Sequence, residues 1–210
     1  KQILTACAIL LLLGARANAQ SPTALDGTST KPSNAGTEFY FSFPPCHQEE
    51  STVSYSCRVY VTSSVQQLVT IEVNGKSWKM TKAVAPNVTT EFILSEVVAQ
   101  PFLLRGNAAA PAEAVYQGAA VHVTAQAPVI VNAATRYESN SDGFLVLPVG
   151  SLGLEYVVSS WPQFNHTGTG YQLVSETTIS AVYDGTVVQF VMGGNSASVT
   201  SGGLNPDKMA

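Results

Sequence analysis

The sequence predicts an all-β protein built from antiparallel β-sandwich units in tandem repeat, with the second unit incomplete. Only 11% of the 210 residues are charged, and Val, Thr, Ser and Ala are abundant, while the Lys and Glu on which exposed helices depend are scarce. Short apolar runs recur between Gly, Pro and Asn turns. No long stretch has the period of a helix. The hydrophobic share of 45% is large enough to bury a core.

Residues 1–19 are predicted to be a signal peptide. Lys1 supplies a positive start, residues 3–13 are an apolar run, and residues 17–19 read Ala-Asn-Ala, the small-x-small cleavage pattern. A bacterial lipoprotein box ending at Cys7 is the alternative, but the hydrophobic region should precede such a cysteine and here it follows. We therefore expect a secreted or cell-surface protein whose mature chain is not inserted in a membrane.

The predicted strands follow a polar flexible leader, residues 20–35. Residues 68–73 alternate well, and Asn74-Gly75 after them is a strong hairpin signal because both turn positions favour positive φ. A second turn of this kind is Asp184-Gly185. The predicted strands are residues 38–43, 58–62, 68–73, 76–80, 89–94, 119–125, 129–135, 144–149, 156–160, 171–175, 178–182 and 187–192, with residues 100–114 as a loop.

Two segments of the chain repeat one pattern. GTEFYFSFPP (36–45) and GLEYVVSSWP (153–162) share Gly, Glu, Ser and Pro at equivalent positions. Because a second pair of similar segments has nearly the same offset, we expect two homologous β units, residues 36–152 and residues 153–210, the second cut short. The equivalent acids Glu38 and Glu155 are then expected to share a structural role, such as bonding to backbone amides where the strand begins, rather than to catalyse a reaction.

Two cysteines, Cys46 and Cys57, remain after the predicted cleavage. A zinc site with the adjacent His47 is one interpretation, but structural zinc needs four ligands and closer cysteine spacing. In an exported protein, a disulfide that closes the polar loop between the two cysteines is the simpler prediction. Closing a loop of this size would stabilise the folded protein by roughly 3 kcal/mol. Such a loop is a fair place for recognition.

The sequence predicts no catalytic site, metal site or cofactor. There is no Gly-x-Ser-x-Gly nucleophile motif, and His47, His122 and His166 do not have zinc spacing. His122 lies between apolar neighbours and is expected to be a half-exposed strand residue rather than a general base.

Two further motifs are weaker. Glu138, Asn140 and Asp142 precede a glycine at alternate positions and could bind calcium, although a plain turn is favoured because the final Glu of an EF-hand loop is missing. Asn87 and Asn165 each begin an Asn-x-Thr glycosylation triplet, which matters if the source is eukaryotic.

Three segments resemble a known family: GTEFYFSFPP, VYVTSSVQQLVTIEVNG (59–75) and above all SDGFLVLPVGSLGLEY (141–156). They are similar to the N-terminal region of IgG-Fc-binding proteins, over roughly residues 36–194. The resemblance implies tandem repetition and an extracellular location, and the family's label refers to binding of immunoglobulin Fc. It assigns no binding residue. The cysteine-rich von Willebrand-type modules of the animal members are missing from this chain.

We therefore expect a binding or adhesion protein that recognises an extracellular protein or glycan through loops such as residues 46–57 or through sheet faces. The alternative is a self-associating structural subunit of a filament or surface layer. A carbohydrate-active enzyme would need two carboxylates across a cleft, about 5–10 Å apart. A net charge of −4 with scattered basic residues argues against a nucleic-acid partner.

Overall fold

The computed structural model describes residues 33–45, 47–48, 56–105, 115–136, 141–159, 164–165, 172–173 and 176–191. These residues are mostly β, as the sequence predicts, with almost no helix. The strands are β1 (Ala35–Phe41), β2 (His47–Gln48), β3 (Ser56–Ser63), β4 (Gln67–Val73), β5 (Trp78–Val84), β6 (Thr90–Leu94), β7 (Leu104–Arg105), β8 (Val121–Arg136), β9 (Ser141–Val146), β10 (Phe164–Asn165) and β11 (Gln172–Leu173), with one short helix, α1 (Glu96–Ala99).

Seven of these strands form one antiparallel, nearly closed sheet around the long strand β8. The strand order is β5-β4-β8-β3-β6, and β1 and β9 also pair with β8. Early in β8, residues 122–125 lie between β1 and β4, whereas residues 131–136 lie between β9 and β3. Strand β8 therefore belongs to two parts of the sheet, one that contains β1, β4 and β5 and one that contains β3, β6 and β9. Two small pairs, β2 with β7 and β10 with β11, lie outside it.

The sequence predicted two strands separated by Gln126-Ala127-Pro128, and this is wrong because β8 continues through all three residues. The backbone pairing of β4 stops at Ala125 and that of β3 starts at Val129. The side chain of Gln67 serves the residues between. Its Oε1 accepts hydrogen bonds from the N–H groups of Gln126 (2.9 Å) and Ala127 (2.8 Å), and its Nε2 donates to the Ala127 carbonyl (3.1 Å).

The core lies on the concave side of the sheet, where alternate residues of each strand point inward. In β8 the odd-numbered residues are the buried ones, so the even-numbered residues face outward. In β4 the alternation is the predicted one, with Val69, Ile71 and Val73 buried. The other fully buried large side chains are Phe39, Phe43, Val59, Val61, Val84, Phe92, Leu94, Gln100 and Val121.

The predicted hairpin at Asn74-Gly75 is confirmed, since β4 and β5 pair in register from Val73↔Trp78 to Gln67↔Val84. Its turn differs from the expected one, because the positive φ of 49° is at Ser77. Gly75 is required for a close approach instead: its N–H donates to the Gly118 carbonyl at 2.8 Å, and a Cβ on Gly75 would lie 2.5 Å from the carbonyl oxygen of Gln117.

Three predicted strands in the C-terminal part of the chain are not formed in the described residues, since residues 156–159, 178–182 and 187–191 carry no strand. Of the predicted strand 171–175, the described residues are Gln172 and Leu173, which form β11. The Asp184-Gly185 turn does form, with φ of 73° at Gly185, but it joins no hairpin. Alternation makes one face of a segment apolar, yet a strand also needs a neighbouring backbone to pair with.

The repeated pattern has different structures in its two copies. Residues 36–41 of the first copy lie in β1, whereas residues 153–159 of the second form no strand and are exposed. The predicted signal peptide and residues 20–32 of the leader lie outside the described residues. None of the helices in the described part of the chain is long and apolar enough to cross a membrane.

Candidate functional site

A row of polar side chains crosses the outer face of the sheet where β1, β8, β4 and β5 lie side by side. The register places Tyr40 opposite His122, His122 opposite Glu72, and Glu72 opposite Lys79. Glu38 lies two residues before Tyr40 on the same face of β1. These residues (Glu38, Tyr40, Glu72, Lys79 and His122) are called the His122 face below.

His122 forms a bridge between two carboxylates on different strands. Its Nδ1 lies 3.1 Å from Oε1 of Glu72, and its Nε2 lies 3.1 Å from Oε1 of Glu38. An ionised carboxylate only accepts hydrogen bonds, so both ring nitrogens must carry a proton when both bonds are made. The exposed fractions of the side chains are 13% for His122, 23% for Glu72 and 33% for Glu38, so the bridge is partly shielded from water.

The ring of Tyr40 stacks on the imidazole of His122, with 4.1 Å between ring centres and 10° between planes. Burial raises the pKa of the Tyr40 phenol, and the carboxylates of Glu38 and Glu72 raise it further. The phenol is therefore neutral at physiological pH, and it presents an aromatic surface with a hydroxyl beside two anions.

The carboxylate of Glu72 has cationic partners on two sides. Its hydrogen bond with His122 lowers its pKa, burial opposes that effect, and Lys79 lowers the pKa further. The Lys79 ammonium lies 3.4 Å from Oε2 of Glu72 and its side chain is 65% exposed. Glu72 is thus ionised at physiological pH, and Lys79 reaches out into solvent beside it.

A second charged pair lies on the outer face of the other part of the sheet. Arg58 on β3 bonds to Glu91 on β6, which raises the pKa of Arg58 and lowers the pKa of Glu91. The Tyr60 hydroxyl contributes to both pKa shifts, and Arg136 lowers the pKa of Glu91 further. Neither Arg58 nor Glu91 contacts the His122 ring.

One carboxyl has a strongly raised pKa. Burial raises the pKa of Glu176 to about 7. A carboxyl of this kind can donate a proton near neutral pH, but the preceding residues 174–175 lie outside the described chain, so no site is assigned to it.

The chemistry of the His122 face suits recognition. The imidazole lies between Glu38 and Glu72, so the two oxygens bonded to it approach it from different sides and do not converge on one point. In the parts of the chain that the structure describes, no group of three or more His, Cys, Asp or Glu residues is arranged to hold a metal ion. What the face offers is an aromatic ring, two anions and a cation on neighbouring strands.

The sequence placed His122 on a strand but indicated neither of its partners. Glu72 and Glu38 are 50 and 84 residues away along the chain, and only the register of β1, β8 and β4 brings them together. The expectation that Glu38 bonds to backbone amides is wrong, because its carboxylate bonds to His122. Glu155, its supposed equivalent, is exposed and outside any strand.

The predicted disulfide falls partly outside the described residues. Cys57 is buried in β3, but Cys46 lies outside the described residues, as does most of the loop between them. The pairing of Cys46 with Cys57 therefore stays a prediction. His47 lies in β2, where it is paired with Leu104 of the parallel strand β7. His166 lies outside the described residues.

None of the remaining predicted motifs includes a residue of the His122 face. Asn87 is exposed in the turn between β5 and β6, with φ of 58°, and Asn165 lies in β10. Asp142 is in β9, where its Oδ1 accepts the Gly143 N–H at 2.7 Å, as in a turn. The other two candidate calcium ligands, Glu138 and Asn140, lie outside the described residues.

Comparison of the chain with models of known protein families, with curated proteins and with solved structures found no match.

Proposed function

We propose that this protein is an extracellular binding or adhesion protein for a protein or glycan ligand, and that the His122 face is part of its recognition surface. The bridge of His122 to Glu38 and Glu72, with Tyr40 stacked on it, supports this proposal most directly. The stacking and the bridge place an aromatic ring beside two carboxylates on one face of the sheet, where a ligand can contact them together. The predicted signal peptide and the family resemblance favour an extracellular ligand.

The proposal extends to the architecture. The described sheet belongs to the first of two homologous β-sandwich units, and residues 153–210 belong to the second. The repeated GTEFYFSFPP and GLEYVVSSWP segments support this division.

Binding is tested first with immobilised immunoglobulin Fc, because of the resemblance, and then with an array of mucin-type and matrix glycans. Tyr40→Ala and Lys79→Ala should each weaken binding, the tyrosine by about tenfold or more, as aromatic side chains at the centre of an interface do. Tyr116→Ala is the matched control, since Tyr116 is 37% exposed and its ring lies at a tilt against Phe102 instead. Equal affinity of all three variants would exclude the His122 face.

A structural subunit is the second candidate, favoured by the apolar surface of the C-terminal segments. Residues 153–159 and 176–191 expose many large apolar side chains: Leu154, Tyr156, Val157, Val158, Ile179, Tyr183, Val187, Val188 and Val191. A surface of this kind marks association sites. Light scattering after gel filtration at several concentrations would then show a series of oligomers. Val157→Ser should reduce the size of the oligomers, whereas Val115→Ser, at another highly exposed position, should not.

A further inference from the structure

The bridge in the His122 face depends on the number of protons on one ring. Its two hydrogen bonds, each 3.1 Å long, need an N–H donor at both Nδ1 and Nε2. Histidine is the side chain whose charge ordinarily changes between about pH 5 and 8. When the ring has one proton, one nitrogen presents a lone pair to a carboxylate oxygen, and that contact becomes repulsive.

The charges around the ring balance only in the doubly protonated state. Glu38 faces the ring from β1 and Glu72 faces it from β4, while Lys79 on β5 pairs with Glu72. Tyr40 covers one side of the ring, and Tyr183 lies near enough to Tyr40 to influence its ionisation. With a charged imidazole the face holds two positive and two negative groups. Loss of one proton leaves it one unit more negative.

The carboxylate released by this loss is the one of Glu38. Its side chain is 33% exposed, against 23% for Glu72, so water solvates Glu38 more readily when its donor is lost. Glu72 is more buried and keeps both the remaining ring N–H and the Lys79 ammonium. The change therefore frees an anion next to the Tyr40 ring, and a cation is the natural ligand for such a pair.

We propose that His122 is a proton switch for recognition at this face: two ring protons close the Glu38–His122–Glu72 bridge, and loss of one opens it to bind a cationic Lys or Arg side chain of a partner protein. The cationic partner rests on the proposed binding function. The opening of the bridge does not, since it is a property of the protein without ligand.

The switch is tested first without ligand, by NMR of the wild-type protein from pH 4.5 to 9. We expect the side-chain carboxyl carbon of Glu38 and the ring protons of Tyr40 to shift with the same midpoint as the ring of His122. The carboxyl carbon of Glu91, on the other part of the sheet, should not follow it. His122→Gln identifies the His122 signals among the three histidines. If the chemical shifts of Glu38 and Tyr40 do not change over the pH range of the His122 transition, the proposed switch is wrong.

A conservative variant gives a second readout. Glu38→Gln keeps the size of the side chain and removes one anion from the ring, so the His122 transition should move to lower pH. Glu91→Gln removes an anion that does not touch the ring and should leave the transition in place. Equal transitions in both variants would show that Glu38 does not hold the ring.

Recognition is then measured with a short Arg-Gly repeat peptide as the probe and a Glu-Gly repeat as its control, at constant ionic strength. The Arg-Gly peptide should bind at least threefold more tightly at pH 8 than at pH 5.5, and His122→Gln should abolish that difference. A pH dependence that persists in His122→Gln would overturn the proposal. NMR coupling without any peptide binding would refute the cationic partner, and binding of Fc or glycans would still be judged by the Tyr40 and Lys79 variants.

Discussion

Lys82 on β5 donates a hydrogen bond to the main-chain carbonyl of Glu91 on β6, with 2.7 Å between Nζ and the oxygen. The same ammonium lies 5.2 Å from the centre of the Phe92 ring. Strands β5 and β6 are the two ends of the strand order, so a side chain joins the sheet at the place where it does not close by backbone pairing.

Replacing Lys82 should therefore weaken the fold. Lys82→Met keeps the length of the side chain but removes the donor, and the expected loss of unfolding free energy is about 1–2 kcal/mol. Lys79→Met, at an exposed position on the same strand, should cost about 0–0.5 kcal/mol. Urea unfolding curves measure both. If Lys82→Met loses no more unfolding free energy than Lys79→Met, the contact between Lys82 and β6 does not stabilise the sheet.

Gln67 should be among the most sensitive polar positions. Gln67→Leu would leave the N–H groups of Gln126 and Ala127 in β8 without their acceptor, at a cost of about 2–4 kcal/mol. The adjacent Gln66 is exposed, so Gln66→Leu is the matched control and should change stability by less than about 0.5 kcal/mol. Thermal unfolding distinguishes them. Similar melting temperatures of the two variants would mean that water replaces the Gln67 side chain as the hydrogen-bond acceptor for these N–H groups.

Acid should unfold the protein partly through Glu72. Its pKa in the folded protein is below the ordinary 4.5, so the unfolded chain binds this proton more readily than the folded one. The stabilisation is fully present above pH 4.5 and is lost as the pH falls through the lower, folded pKa. Glu72→Gln should flatten this acid limb in unfolding experiments between about pH 2 and 6, while Glu155→Gln at an exposed position should leave it unchanged.

Asn87 should accept a glycan when the chain passes through a eukaryotic secretory pathway. It is exposed in a turn, with Thr89 two residues later, so an enzyme can reach both. Intact mass before and after enzymatic deglycosylation gives the occupancy. Asn87→Asp tolerates the same left-handed backbone and should abolish the added mass at this site. A mass unchanged by deglycosylation would refute modification at both Asn87 and Asn165.

The predicted disulfide gives a direct covalent test. Digestion without reduction should yield a peptide pair that links Cys46 to Cys57 and separates on reduction. Cys57 is buried in β3, so Cys57→Ala would combine the loss of the link with a small cavity. Cys46→Ser is the cleaner variant, with an expected loss of roughly 3 kcal/mol. Two alkylated cysteines after mild denaturation of the unreduced protein would exclude the link.

The strands with strong local alternation were predictable. The predicted strands 58–62, 68–73 and 89–94 are confirmed as β3, β4 and β6. They could be predicted because β-branched or aromatic residues recur in each at alternate positions. The continuity of β8 was not predictable. Pro128 lacks a donor and normally ends a central strand. The side chain that bonds to the preceding residue, Ala127, is that of Gln67, which lies 60 residues before Ala127.

The His122 face was equally hidden from local reasoning. A histidine between apolar residues predicts only a strand position, whereas its chemistry comes from Glu38 and Glu72 on two other strands. A one-residue slip of either strand would turn its glutamate toward the core. The face therefore follows from the register, which no short stretch of sequence contains.

The central position of β8 also sets an order of events during synthesis. The β4–β5 hairpin pairs residues that are close in the chain, so it can form soon after Val84 leaves the ribosome. Strands β1, β3 and β4 must wait for a partner that is complete only at Arg136. Until then their backbone edges remain open to other nascent chains, and a pause in translation before residue 121 would prolong the interval in which aggregation competes with folding.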